Sequence, residues 1–275
     1  MPLSAIQGVG QRAVFVVESV GEFGRFAGQT FAWLFRGGLN WKTFRLMMPL
    51  MFEVGVRSIP VIAITGAFIG MVMAVEAYAQ FKSIGQESRL GSIINVSVVK
   101  QIGPVLAAVM LAGRVGGALT AELGTMRVTE QLDALRVMGT DPVRYLVVPR
   151  LLTCILLTPI LTIYSDMLGV IGGWLVTVKM FGVPNAPYWH YAATGVGMWA
   201  VLEGVGKAAF FGGAIGLVSC YKGFNCGAGA SGVGRACTEA FVHSFIAIIV
   251  FNFFFARLMK DWYTTLYGFT SLFAG

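Results

Sequence analysis

The sequence predicts an all-α polytopic membrane protein: an N-terminal interfacial helix, five transmembrane helices, and a cytoplasmic helix between the second and third spans. Three observations carry this reading. Several apolar runs reach the ~20 residues that a helix needs to cross a bilayer. Mean hydropathy is +0.75 and only 12% of residues are charged. Lys and Arg gather in particular loops between the runs, as residues facing the cytoplasm do.

The formal net charge of +7 does not imply nucleic acid, because the basic residues form no clustered stripe. Cys154, Cys220, Cys226 and Cys237 are scattered, with no CxxC and no framework of the small secreted kind. A metal set of Cys220, Cys226, Cys237 and His243 fits no zinc spacing. The N-terminus has no charged region, apolar core and cleavage site of a secretory signal, which predicts no removed leader.

Residues 11–36 read as an amphipathic helix. Glu18, Glu22, Arg25 and Gln29 fall on one face, and Val16, Val20, Phe23, Ala27 and Leu34 on another. Trp33 and Arg36 close it in a manner suited to the membrane interface. Five spans are expected next, at about Val54–Ala79, Ile102–Met126, Leu151–Val178, Tyr191–Cys220 and Thr238–Met259. The chain divides accordingly into an interfacial or elbow segment (1–50), a membrane domain (51–260) and a C-terminal tail (261–275). Gly66 and Gly70, Gly169 and Gly173, and Gly212 and Gly216 are small-xxx-small pairs. Such pairs let helix backbones approach closely in lipid.

Between spans two and three stands GTMRVTEQLDALRVMGTDPVR, residues 124–144. It carries Arg127, Glu130, Asp133, Arg136, Asp141 and Arg144 in an otherwise uncharged region. The pattern predicts a helix over about 128–139. Thr129 serves as N-cap, Glu130 and Asp133 suit the first turn and Arg136 the last. Gly139 ends it and Asp141-Pro142 blocks its resumption. Val128, Leu132, Leu135 and Met138 form an apolar ridge. A helix this short needs a surface to lie on, either its own membrane domain or a partner. If this stretch is cytoplasmic, that side holds Arg12, Arg25, Arg36, Lys42, Arg45, Arg57, Arg127, Arg136, Arg144, Arg150, Lys222 and Arg235. The other side keeps Lys82, Arg89, Lys100, Lys179, Arg257 and Lys260. The bias places the N-terminus in the cytoplasm and the C-terminus outside.

No GxxxxGK[ST] occurs, so this chain does not cradle ATP by that route. GVGKAA at 204–209 has the lysine without the loop, and GAGASG at 227–232 follows no predicted strand. Energy therefore comes from another subunit, or not from ATP.

GPVLAAVMLAGRVGGALTAELGTMRVTEQLDALRVMGTDPVRYLVVPR, 103–150, resembles the permeases of MCE-associated ABC transporters, the MlaE-like family that moves phospholipid between bacterial inner and outer membranes. The resemblance runs from about Phe52 to Met259 and includes GRACTEAFVHS at 234–244. It implies that the segment between spans two and three is a coupling helix gripped by a cytoplasmic ABC ATPase, with Glu130, Leu132, Asp133, Leu135, Arg136 and Met138 as contact candidates. It further implies a homodimer in the bacterial inner membrane, an MCE-domain ring on the periplasmic side, and room for a small STAS-type subunit. By the same resemblance this chain is a transport subunit without catalytic residues or cofactors of its own. ATP and Mg belong to the partner ATPase, and phospholipid is the cargo.

Ionisable residues within a span are functional candidates by default. Glu203 and Lys207 sit four apart in the fourth span and can neutralise each other. Arg114 lies in the second span among glycines, and Asp166 in the third. The resemblance aligns Lys207 with a basic residue of the family's fourth span and places Arg114 in an AGR motif. Some members carry an Arg-Glu pair before GPV; Lys100-Gln101 stands there here, so the acid is missing and Glu203 is its candidate replacement. Two other classes stay open: a secondary transporter or channel relaying ions through Asp166, Glu203 and Lys207, and an intramembrane enzyme. Five spans do not divide into the equal halves of an inverted repeat, and no nucleophile–base constellation stands at helical spacing.

Overall fold

The computed structural model describes the backbone of residues 2–37 and 41–267, and the side chains of 17–36, 41 and 43–265. The side chains of Val16, Arg12 and Lys42, and residues 268–275 of the expected tail, lie outside that range. Among the described residues all regular structure is helical. Helix α1 is Pro2–Gly37 and α2 is Trp41–Val54; a tight turn at Val56–Ser58 leads into α3, Ile59–Ser83. Next come α4 (Leu90–Ser97), α5 (Gly103–Leu111) and α6 (Gly117–Val128), joined by wide π-helical turns at Val98–Ile102 and Ala112–Gly116. The short α7, Gln131–Val137, precedes a π-helical turn at Val143–Val147 and α8, Val148–Trp174. Helices α9 (Asn185–Gly195), α10 (Met198–Phe224) and α11 (Gly229–Tyr267) complete the chain.

Five stretches are long and apolar enough to span a membrane: Thr43–Ser83, Glu87–Val128, Val143–Met180, Met198–Phe224 and Gly229–Thr265. The number agrees with the sequence reading; several boundaries do not. The first span already begins in α2, so the division at residue 50 falls inside a helix. The second begins near Glu87 rather than Ile102, because Gly103-Pro104 does not end the helix. Proline removes one donor to the preceding turn, and the chain accommodates the loss by widening into the 98–102 π turn. The fourth starts at Met198, since Val196 is extended (φ −96°, ψ 94°) and leaves Tyr191 in the separate helix α9. The fifth is embedded in a continuous 39-residue helix.

Span three is the centre of the bundle. Its helix α8 packs against α3 on one side and α10 on the other, and the expected glycine pairs are at those contacts. A Cβ on Gly70 would overlap the carbonyl of Gly169, and one on Gly66 the carbonyl of Ser165. Gly212 lies in the same way against the Cys154 carbonyl and Thr158. Only backbone-to-backbone contact fits there, so dispersion between bare helix surfaces holds the helices together. The central core is Ile62, Leu111, Leu157, Leu161, Phe211, Ile215 and Ile248. Span five lies at the edge and leaves Phe245, Ile249, Phe253 and Phe254 exposed.

Helix α1 folds back on one end of the bundle. Phe23 and Phe26 meet the Tyr221 ring edge-on at 5.2 and 5.6 Å. Trp33 Nε1 donates to Asp141 Oδ2 at 2.8 Å, and the Arg144 guanidinium lies 5.0 Å from the Trp33 ring centre. The inward face runs through Phe23, Phe26, Thr30 and Trp33, while Val20, expected on it, is 65% exposed. The N-terminal helix, the 129–142 segment and the turn after α10 therefore share one end of the molecule.

Gly70→Val forces α3 and α8 apart and should cost about 1–3 kcal/mol or more, read as a lowered unfolding temperature and monodisperse yield in detergent. Gly117→Ala, where an added Cβ meets nothing within 4 Å, should leave both unchanged. Equal loss in the two variants would contradict the close-approach argument.

Candidate functional site

Two features stand at opposite ends of the bundle: a charge cluster with an adjoining cavity, and the α7 protrusion. Along α10, Lys207 and the α7 end are seventeen residues apart, or roughly 26 Å at 1.5 Å per residue.

The cluster is built on the 98–102 π turn. Pro104 has no N–H for the carbonyl of Lys100, four residues back, and that carbonyl accepts from Lys207 Nζ at 3.2 Å. Lys207 Nζ also donates to Gln101 Oε1 at 2.8 Å and pairs with Glu203 Oε1 at 2.8 Å. The three N–H donors of the ammonium thus have three acceptors, and Lys207 is fully buried. The other oxygen, Glu203 Oε2, stands 3.3 Å from Lys100 Nζ. Gly204 makes the approach possible, because any Cβ there would collide with the Val99 carbonyl. One carboxylate therefore serves two ammonium groups.

Beside the cluster is a cavity of about 350 Å³, lined by Lys100, Gln101, Trp199, Glu203, Lys260 and Tyr263 with apolar Val96, Ala200, Ala256 and Met259. Trp199 and Tyr263 pack at 5.6 Å between ring centres. The cavity draws on spans two, four and five, at the end away from α7.

The five expected intramembrane residues are not one site. Glu203, Lys207 and Gln101 come together. Arg114 is elsewhere: its Nη1 donates to Ser58 Oγ at 2.6 Å and to the Glu53 carbonyl at 3.3 Å, which fastens span two to the α2–α3 joint. Asp166 is 8% exposed and its Oδ1 has no hydrogen-bond partner. A Cβ on Gly103 would strike that oxygen. No hydrogen bond or ion pair joins Asp166 to Glu203 or Lys207 among the described residues, so these three form no continuous relay here. The sequence reading places Lys100 and Lys260 on the side away from α7 without assigning either to a site, and it does not single out Trp199 or Tyr263. Lys100 had been assigned to a loop because span two was started two residues after it. Trp199 comes from the first turn of α10, and Lys260 and Tyr263 from one face of the last turns of α11; their i, i+3 spacing marks that face, but nothing local says that it lies against span two.

At the other end, α7 differs from its expected form. Thr129 does not cap it: its Oγ1 bonds back to the Thr125 carbonyl at 2.8 Å, closing α6. Glu130 takes the N-cap position with φ of 60°, a backbone region costly for a non-glycine residue. Gly139 does terminate the helix. With φ of 73° it donates to the Arg136 carbonyl while Thr140 N donates to Leu135 O, the Schellman pattern. The apolar ridge is divided. Leu132 is 1% exposed and packs with Leu123, Val147 and Phe224, so this contact candidate faces the chain's own core, with Leu135 beside it. Val137 and Met138 project outward, 89% and 70% exposed. The Asp133 carboxylate is held by Arg136 at 2.8 Å and Arg127 at 3.3 Å, tying α7 to α6. Glu130, Arg136, Val137 and Met138 are what a second molecule would meet.

Comparison with known proteins gives one family throughout. The family model described as permease MlaE matches residues 47–258. A probable ABC transporter permease of Rickettsia conorii is 40% identical over 250 residues, covering 91% of this chain and 95% of the relative. The intermembrane phospholipid transport system permease protein MlaE of Haemophilus influenzae is 34% identical over 220 residues, covering 79% and 84%. The chloroplastic protein TRIGALACTOSYLDIACYLGLYCEROL 1 of Arabidopsis thaliana is 30% identical over 227 residues, covering 82% and 64%.

Lys207→Met leaves the buried Glu203 with Lys100 as its sole countercharge. It should lower stability by about 3 kcal/mol, the low end for a broken buried pair, in thermal unfolding followed by intrinsic fluorescence. The double variant Glu203→Gln with Lys207→Met should recover most of that loss. A double variant as unstable as the single one would mean that the two residues do not act as a unit.

Proposed function

The chain belongs to the MlaE permease family and is a multi-pass ABC transporter permease; from that premise we propose that it moves phospholipid between two membranes, driven by a separate ATPase. The observation that carries the proposal is α7. A seven-residue helix stands between two spans, anchored inward by Leu132 and offering an apolar tip outward. A tip of this kind is suited to insertion in a groove of another protein, and an ABC ATPase is the partner that the family supplies.

In this reading α7 is the coupling helix and its end of the bundle is cytoplasmic. That places the N-terminus in the cytoplasm, the C-terminus in the periplasm, and the cavity end of the bundle in the outer half of a bacterial inner membrane. Two copies form a homodimer around the lipid path, with an MCE-domain ring above and a STAS-type subunit where one is present. ATP and Mg bind the ATPase, and this chain performs no covalent chemistry. Span two passes the cavity at Lys100 and ends at Val128, just before α7, so a push on α7 shifts one wall of the cavity. For ATP to drive transport, lipid must bind the cavity differently in the two states, since a ligand favouring neither cannot be moved.

Charge reversal at Asp133 would break the intrachain links to Arg127 and Arg136, so the informative substitutions are at the tip. Val137→Asp with Met138→Asp should abolish capture of the ATPase subunit and reduce its permease-stimulated turnover at least tenfold, more than about 1.4 kcal/mol, with the membrane domain still folded. Unchanged capture and turnover would place docking elsewhere.

A further inference from the structure

We propose that the outer cavity selects lipids whose head group carries net negative charge, a phosphodiester without an amine, through Lys100 and Lys260 acting together. The inference rests on the lipid-moving reading above and adds the chemical class of the cargo.

It follows from which donors in the cluster remain open. The Lys207 ammonium already has three acceptors and is sealed from the cavity, so it positions Glu203 and touches no head group in this state. Lys100 makes one ion pair, at 3.3 Å, and its side chain is 45% exposed beside the cavity. Lys260, from α11, also lines the cavity and is exposed, with no ion-pair partner among the described residues. Two ammonium groups therefore have donors left for a phosphate, and charge-assisted bonds of that kind are the stronger ones.

The negative side of the balance is closed. Glu203 contributes the carboxylate of the cavity wall, and each of its oxygens is already held by a lysine. The group as a whole is three lysines against one glutamate. An ethanolamine ammonium entering here meets like charges and finds no open carboxylate, a cost that a glycerol head group avoids. A volume of about 350 Å³ holds a head group and glycerol backbone rather than a whole lipid. Val96, Ala200, Ala256 and Met259 offer an apolar wall for the first methylenes. The aromatic pair Trp199 and Tyr263 is the feature that could favour the opposite outcome, by receiving a choline on a ring face.

The test is native mass spectrometry of the full-length chain in detergent, titrated separately with dioleoyl phosphatidylglycerol, phosphatidylethanolamine and phosphatidylcholine, and with inorganic phosphate as competitor. Phosphatidylglycerol should be retained about tenfold over the other two, the equivalent of one charge-assisted bond. Lys260→Gln should cut that preference to near parity without changing phosphatidylethanolamine retention, and Lys260→Arg should restore it. Lys260 is exposed, so neither variant endangers the fold. Equal retention of the three lipids, a choline preference, or a preference indifferent to Lys260→Gln overturns the charge selection and leaves the lipid reading standing. Retention of no lipid, with a photocrosslinker at Ala200 capturing none, removes the lipid reading itself. Displacement of phosphatidylglycerol by millimolar phosphate assigns the site to a free anion and overturns the proposal.

Discussion

A fully buried ammonium is the constraint from which the arrangement of the cavity end of the bundle follows. An isolated charge in a low-dielectric interior is far too costly to persist, so Lys207 must be surrounded by acceptors. Three devices supply them. Glu203 is one helical turn before it. Pro104 leaves the Lys100 carbonyl without its helical donor. The π turn at Val98–Ile102 rotates Gln101 toward the same point. Gly204 then lets α10 come close enough for the bonds to form. Together these devices fix span two against span four at the edge of the cavity.

The opposite end obeys a different constraint. α7 is too short to be stable alone, and it is held by one buried leucine, a carboxylate shared between two arginines, and a glycine-terminated last turn. Its neighbour Asp141 is fastened to Trp33 of the N-terminal helix. This leaves a small projection whose outer surface combines the charged Glu130 and Arg136 with the apolar Val137 and Met138. The α6–α7 joint at Thr129–Glu130 breaks the helix once, and from Val128 back to Lys100 the backbone is helical. The two ends of the molecule are thereby linked through one span.

The glycine-mediated contacts between α3 and α8 explain how such a link can coexist with a stable fold. Bare backbone surfaces pack by shape, with few side chains to lock a single register. Span three stays central while spans two, four and five contribute the cavity walls.

Much of this was legible from residues in order. Apolar run length set the number of spans, because a bilayer admits only segments that satisfy their own backbone. Spacing revealed the Gly pairs, the Glu203–Lys207 pair and the stop at Gly139. The family motif around 103–150 pointed to α7. The sequence reading starts span two at Ile102, whereas the helix runs through Gly103-Pro104 from Glu87; whether a proline ends a helix or only widens it depends on what packs around the freed carbonyl. Thr129 was misread as a cap because the same residue can close the helix before it or open the one after it. The division of the Val128–Met138 ridge into inward Leu132 and outward Val137 and Met138, the third acceptor of Lys207, and the meeting of Lys100 with Lys260 were decided only in three dimensions. Local sequence records what a residue can do within one turn of its own helix; which helix stands opposite is set by packing across the bundle.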